Sequence, residues 1–593
     1  MSKAQIIEAV LGGARSVQAV CDVTRASTGC GSCRPEVEAI VTLACRGLEK
    51  AIAPEDFGPV VTALPSADEA GPILAAPDIT LNKVERFKRD KDGLDVEADI
   101  ERFVRDGWEA IEESDRERLK WLGVFFRRQT PGRFMMRIRM PNGFTNAEQL
   151  NVIAELSREC GTGFVDLTTR QQVQLRGFAV GDLPHIWERL TAVDLVSLQT
   201  GMDNIRNVIG CPVAGLTEDE LFDASRVVNE FNQAFLRNKA FTNLPRKFNV
   251  AITGCTENCT HGETQDLSLT PAIKIIAGEE VKGFNIAIGG KVGSGGLRPA
   301  TPLGVFCRPE DAAGLCSHIT LIFRDYGPRR ARNRARLAFL VEEWGIEKFR
   351  RELERRVGER LLPQGRDART SRHHDHLGIS RQKQSGMCTV GLNVPVGRIT
   401  ADQMSGVARI ARRYGNGDVR ITTSQNVIIP NVPEGVLPQM TGEPLLGELR
   451  HDPTDMMRGL VSCTGIDYCH MALIETKELA MKTARELDAR LGPGKKLLTM
   501  HWSGCPAGCG NHTGADIGLL GKNVKIGDEI VDAVDVFVGG QSGPNAKAGT
   551  RILEDVPCSD LPRVLEQVIP YVTNKRGARG PKKDVIVGVP AKA

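Results

Sequence analysis

The chain reads as an α+β protein built by internal duplication. Residues 141–173, "PNGFTNAEQLNVIAELSRECGTGFVDLTTRQQV", align without gaps on 395–427, "PVGRITADQMSGVARIARRYGNGDVRITTSQNV", at a constant offset of 254. Pro141/Pro395, Gly161/Gly415, Gly163/Gly417 and Thr168/Thr422 match, and each copy has the pattern strand, helix, Gly-bounded turn, strand. A second echo follows at an offset of 250, "TGCTENC" (253–259) against "SGCPAGC" (503–509). Together these predict two copies related by a pseudo-twofold axis, preceded by a small helical domain.

The elements then fall in order. Residues 1–50 are helix-prone and carry a Cys30-x2-Cys33 pair, and 51–81 are rich in Ala and Pro and read as a linker. A charged helical stretch opens the segment 82–200, which contains the first repeat unit, and 201–360 is its companion domain. The polar stretch 361–380, with His373, His374 and His376, reads as a variable connector; metal binding by those histidines is the sharper alternative. Residues 381–445 hold the second repeat unit and 446–593 its companion, which carries four clustered cysteines.

Composition narrows the function classes. At 593 residues, 41% hydrophobic and 25% charged, the chain can bury several cores, and a net charge of +3 gives no reason to expect nucleic acid. No run of eighteen apolar residues predicts a membrane span, and the N-terminus has no apolar core of a secretory signal, which predicts a cytoplasmic protein. Sixteen cysteines in such a chain read as reduced thiols or metal ligands. Five arginines within 328–336 suggest part of a basic docking surface, against the blander reading of a solvated helix face.

The copies differ where chemistry is concerned. The second holds Cys463-x5-Cys469 and Cys505-x3-Cys509, a set that suits an iron–sulfur cluster, structural zinc or no ligand, the five-residue gap counting against zinc. The first holds cations: Arg137 and Arg139 share one strand face, and Arg170, Gln172, Gln174 and Arg176 share another. The positions matching those four arginines in the second copy are Gly391, Asn393, Ser424 and Pro430. Arg206, Arg246, Lys247 and Asn249 add to the first-copy set. These faces are either solvated or built for a polyanion. One half looks made to hold anions and the other to hold metal. An electron-transfer module or a zinc-stabilised scaffold would need the thiols and not the cations.

The stretches "GRFMMRIRMPNG", "TTRQQVQLRG", "SLQTGMDNIRN", "NLPRKFN" and "CTGIDYC…GCPAGC" resemble, in order, the ferredoxin-dependent nitrite reductases of the sirohaem nitrite/sulfite reductase superfamily. The resemblance covers about 82–593. It implies a duplicated nitrite/sulfite reductase architecture, and six-electron reduction of nitrite to ammonium at a sirohaem coupled through a cysteine thiolate to a [4Fe–4S] cluster. Reduced ferredoxin would be the donor, with no nucleic acid or membrane partner. Carried over by position, Cys463, Cys469, Cys505 and Cys509 would ligate the cluster, Cys509 also bridging to the sirohaem iron. Arg137, Arg206, Lys247 and Asn249 would line the substrate face, while Arg139, Arg170, Arg176 and Arg246 would hold the sirohaem carboxylates.

The runner-up within that superfamily is sulfite reduction, and the neutral Asn249, where sulfite reductases typically have a second lysine, favours nitrite. With no tyrosine near the first-half motifs, no Tyr–Cys crosslink beside the haem is expected. "STGCGSCRPEV" resembles the small [2Fe–2S] domain of bacterioferritin-associated ferredoxin, so Cys30 and Cys33 would serve a second cluster, although the C-x-C pair usual ahead of them is missing. Cys255 and Cys259, with Cys211, hint at a second cluster in the first copy, against the blander reading of a relic of the duplication.

Overall fold

The computed structural model describes residues 82–574, except 294–296, 371–373 and 495–497, together with 5, 6, 9, 16–24, 37, 38 and 41 of the N-terminal region. By internal contacts the chain divides into two units, 1–62 and 63–593. In the first, helix Val17–Thr24 buries Val20 and Cys21 in a small core with Ile6, Val37 and Val41.

Among its described residues the second unit is built on four five-stranded sheets, and the duplication governs them all. The first copy forms a sheet from strands Val124–Phe126, Phe134–Ile138, Val173–Phe178 and Phe164–Leu167, in that spatial order. Its fifth strand, Arg398–Thr400, comes from the second copy. The second copy returns the exchange: Gly378–Arg381, Met387–Leu392, Val427–Pro433 and Asp418–Ile421 are completed by Phe144–Asn146 of the first. The offset of 254 seen in the sequence relates the two swapped strands residue for residue. Each copy thus caps the other's exposed sheet edge, which would otherwise invite foreign pairing.

Immediately after each swapped strand a helix starts where a cap permits it. Asn146 accepts from the amides of Glu148 and Gln149 at 3.0 Å each, ahead of helix Ala147–Glu159. Thr400 and Gln403 form a reciprocal capping box ahead of Ala401–Tyr414. The apolar faces of these helices pack together in a core shared by both half-domains, through Leu150, Ile153, Met404 and Val407 among others.

The companion domains repeat one another as well. Val250–Ile252 runs parallel to Leu267–Ile276, followed by the antiparallel strands Glu279–Ile288 and Thr301–Cys307. Met500–Ser503, Ile517–Ile526, Glu529–Val538 and Thr550–Pro557 repeat that order, with Leu460–Ser462 added at the edge. Loops at matching places share unusual backbone. Gln171 (φ 56°) and Gln425 (φ 65°) occupy the left-handed region at corresponding turns, as do His261 (φ 49°) and Asn511 (φ 56°). Among the described residues no helix is long and apolar enough to cross a membrane.

Candidate active site

The two kinds of chemistry meet in one cavity of about 430 Å³. First-copy strands and loops supply Arg137, Arg170, Arg206, Lys247 and Asn249, while second-copy loops supply Cys463, Cys469, Cys505 and Cys509. The four substrate-face residues named from the sequence all line this wall, and so do all four cysteines. Period-2 alternation explains much of the cationic side: Gln172 and Gln174 follow Arg170 along one face, and both reach the cavity.

The thiols sit on backbone shaped to receive them. Gly504 donates its amide to Cys463 Sγ at 3.2 Å, and Thr476 Oγ1 lies 3.7 Å from the same sulfur. A Cβ on Gly508 (φ 67°) would come within 2.8 Å of Val292, so only glycine lets the Cys505–Cys509 loop close on the opposite half. Thr169 reaches across from the first copy to donate to the Cys509 carbonyl at 3.2 Å. Cys509 itself is exposed to the cavity. Desolvation and, secondarily, the other three cysteines push its thiol up to about 11, with Lys247 pulling the other way.

The cations are held in place by the main chain, with few carboxylates to neutralise them. Arg137 donates to the Thr200 carbonyl at 3.0 Å, and Arg206 donates to the carbonyls of Thr200 and Met202. Burial lowers Arg137 to about 10 and drops Arg206 well below its ordinary value, with Arg137 adding to the repulsion on Arg206. Arg170 donates to Gln265 at 2.8 Å and to the Asn207 carbonyl at 3.0 Å, and burial lowers it to about 9. Lys247 is brought down to about 7 by desolvation first and then by Arg336, against the pull of Cys509. Anions satisfy such a wall; water alone does so poorly.

Three arginines expected at the cofactor carboxylates lie off this wall. Arg139 sits in a cage of carbonyls, donating to Leu198, Gln199, Ile205 and Arg206 between 2.9 and 3.2 Å, which consumes its guanidinium internally. Arg176 lies further along its strand, in a buried bond of 2.6 Å to Asp166, a carboxylate that also meets Arg398 and Lys477. Arg246 is half-buried beside Arg332 and Asp203. Of that set only Arg170 lines the cavity.

Arg127 and Tyr468 also line the wall, and no sequence expectation placed either of them there. Arg127, buried and lowered to about 9, follows a short edge strand whose alternation carries no signal. Tyr468 lies within the C-x5-C loop, and its ring stacks 4.8 Å under Arg176 and 5.9 Å from Phe164. A tyrosine therefore does approach the first-half strands, contrary to the sequence reading, because the C-x5-C loop folds back onto them. The arginine run is corrected too. Arg329 is buried against Glu85 at 2.8 Å, Arg332 chelates Asp203, and Arg336 makes 2.9 and 2.7 Å bonds to the buried Asp266. Most of its charge is spent inside the fold. His374 and His376 are half-buried and line a second, smaller cavity with Cys255. Cys30, Cys33 and His373 lie outside the described residues.

The donor set fits an iron–sulfur cluster beside a polycarboxylate cofactor. Four thiols share one wall, and among the described residues the buried Nε atoms of Arg127 and Arg170, on the facing wall, have no hydrogen-bond partner. Comparisons with known proteins agree. A family model of the nitrite and sulphite reductase 4Fe-4S domain matches 201–361, and one of the nitrite/sulfite reductase ferredoxin-like half domain matches 126–193 and again 380–445. A BFD-like [2Fe-2S] binding domain model matches 1–42. A ferredoxin–nitrite reductase of Synechococcus elongatus is 44% identical over 82% of this chain and 96% of its own length. The chloroplastic ferredoxin–nitrite reductase of Zea mays is 39% identical over 82% and 89%, and the assimilatory ferredoxin-dependent nitrite reductase of Haloferax mediterranei 37% over 82% and 88%. The solved structure of the Mycobacterium tuberculosis NirA protein superposes with a TM-score of 0.80 at 28% identity, covering 86% of this chain and 97% of that one. With its duplicated half-domains, its four-thiol cavity and relatives of this similarity over most of its length, the chain belongs to the nitrite/sulfite reductase family.

Proposed function

We propose that this protein reduces nitrite to ammonium with six electrons from reduced ferredoxin, consuming eight protons and releasing two waters. The observation that carries the reading is the meeting of Arg137, Arg206 and Lys247 with the four cysteines across one cavity. Cys463, Cys469, Cys505 and Cys509 would hold a [4Fe–4S] cluster, and Arg127 and Arg170 would take carboxylates of a sirohaem. When bound, that pair of cofactors supplies single electrons and a place for the substrate nitrogen.

The residues do the rest. Arg137 and Arg206, fixed by carbonyls, present positive charge that is already oriented, so capture of the anion costs little rearrangement. Lys247 Nζ, near neutral in its proton affinity, can give up a proton to a departing oxygen and be recharged from solvent. Asn249 beside it offers an amide that donates or accepts without adding charge, which suits a singly charged anion. That neutrality weighs against sulfite as the preferred substrate. The thirteen described cysteines are all free thiols, which suits a reducing compartment such as the cytoplasm.

A visible absorption spectrum of the purified protein, with and without nitrite, tests the reading. A sirohaem spectrum that shifts on adding nitrite is expected. A spectrum of iron–sulfur absorption alone, unmoved by nitrite, would overturn it in favour of an electron-transfer module.

A further inference from the structure

The duplication places a second cysteine cluster at the site that mirrors the first. Gln171 Oε1 accepts from the amide of Gly210 at 3.1 Å, and Gln425 Oε1 accepts from Ser462 at 3.1 Å. The residues that follow, Cys211 and Cys463, are therefore structural equivalents. Cys255 and Cys259 mirror Cys505 and Cys509, and Thr423 donates to the Cys259 carbonyl at 2.7 Å as Thr169 does to Cys509. The remaining position, Cys469 in the second copy, corresponds to Thr217.

A relic would leave these thiols scattered as small apolar side chains. Instead the three sulfurs converge, all within 4.8 Å of one another and all buried. Among the described residues no other trio of His, Cys, Asp or Glu brings its ligand atoms that close. The second-copy quartet is more widely spread, as a cluster requires, because each cysteine sulfur binds a different iron. Three sulfurs on one tetrahedral ion of the zinc class, with bonds of about 2.3 Å, stand about 3.8 Å apart, within reach of small side-chain adjustments here. Cys255 also opens on a cavity of about 90 Å³ lined by Thr217, Glu257, His374 and His376, the side from which a fourth ligand would come.

We propose that Cys211, Cys255 and Cys259 bind one thiophilic divalent ion of the zinc class, a structural site derived from the cluster site by duplication and contraction. It would tie the loop at 211–217 to the turn at 253–259, and so brace the first-copy domain whose strand Val250–Ile252 leads into that turn. The proposal is independent of the substrate reading.

Elemental analysis of the full-length protein, carried through gel filtration after incubation with equimolar zinc, tests it. About one zinc per chain is expected, lost in a Cys211→Ser/Cys255→Ser variant that keeps the visible absorption of wild type. X-ray absorption at the zinc edge of wild type, which needs no variant, should give a sulfur-dominated shell near 2.3 Å. No retained zinc, a shell of nitrogen and oxygen alone, or loss of iron instead of zinc from the variant would overturn the assignment.

Discussion

Lys247 and Cys509 come from opposite halves of the duplicated chain, yet they line one cavity, and each shifts the other's proton affinity. The lysine draws the thiol down and the thiolate draws the lysine up, in both cases against a larger desolvation effect. That reciprocity links the cation-bearing half to the thiol-bearing half.

Replacing Cys509 by Ser removes the most exposed of the four cavity thiols while keeping its shape. Six-electron turnover should fall to background even in preparations that retain iron. Nitrite kinetics with a viologen donor, normalised to iron content, provide the check. Full turnover would remove Cys509 from the reaction.

Lys247 gives a pH dependence of definite sign. Its proton affinity, about 7, is below the ordinary lysine value, so its charge is present at low pH and lost as pH rises. The kcat/KM for nitrite should decline with pH through this range, and Lys247→Ala should lower it by about a hundredfold and flatten the profile. For stability the sign is the reverse: between about 7 and the unfolded-state value the folded chain binds fewer protons, so this group makes folding more favourable as pH rises. An unchanged profile in Lys247→Ala would assign the titration elsewhere.

Asn249 should set selectivity. A lysine there adds a charge worth about 4 kcal/mol per unit of anion charge at 4 Å and an effective dielectric of about 20, before a desolvation cost that removes most of it. Asn249→Lys is expected to raise the sulfite-to-nitrite ratio of kcat/KM about tenfold. Paired kinetics on both anions with one artificial donor decide the point, and a ratio unchanged or lower in a fully loaded variant contradicts it.

Asp166 is the anchor beneath the cavity. Three cations, Arg176, Arg398 and Lys477, converge on this buried carboxylate, and the last two come from the second copy. Although burial opposes ionisation, these cations hold the carboxyl well below its ordinary range, with Lys477 the strongest among them. Its stabilising contribution is therefore present above the unfolded-state carboxylate value and lost only in strong acid. Asp166→Asn should cost about 3–5 kcal/mol by stranding buried charge, read from the denaturation midpoint. A shift within error would mean that the cations find other partners.

Much of this was legible in sequence, for reasons specific to each case. The offset of 254 predicted both half-domains, and alternation put Arg137, Arg170 and Gln174 on the correct face. Alternation fixes a face, however, and not what covers it. Arg139 shares Arg137's side, but the loop over it turns a row of carbonyls inward and takes the guanidinium. The run at 328–336 looked like a surface because its partners, Glu85, Asp203 and Asp266, are far away in sequence. Arg127 and Tyr468 reach the cavity from loops, where no periodicity points the way. The strand exchange through Phe144–Asn146 and Arg398–Thr400 was invisible for the same reason: pairing partners are chosen in space.

Cations of one copy and thiols of the other would together form a single site for complete reduction of nitrite. The most direct test is the stoichiometry of reduced ferredoxin oxidised against ammonium formed, in the cofactor-loaded protein under anaerobic conditions. Six ferredoxins per ammonium, with nitrite consumed in equal amount to ammonium, is the predicted result. Nitrite consumed without ammonium, or faster turnover of sulfite than of nitrite, would contradict it.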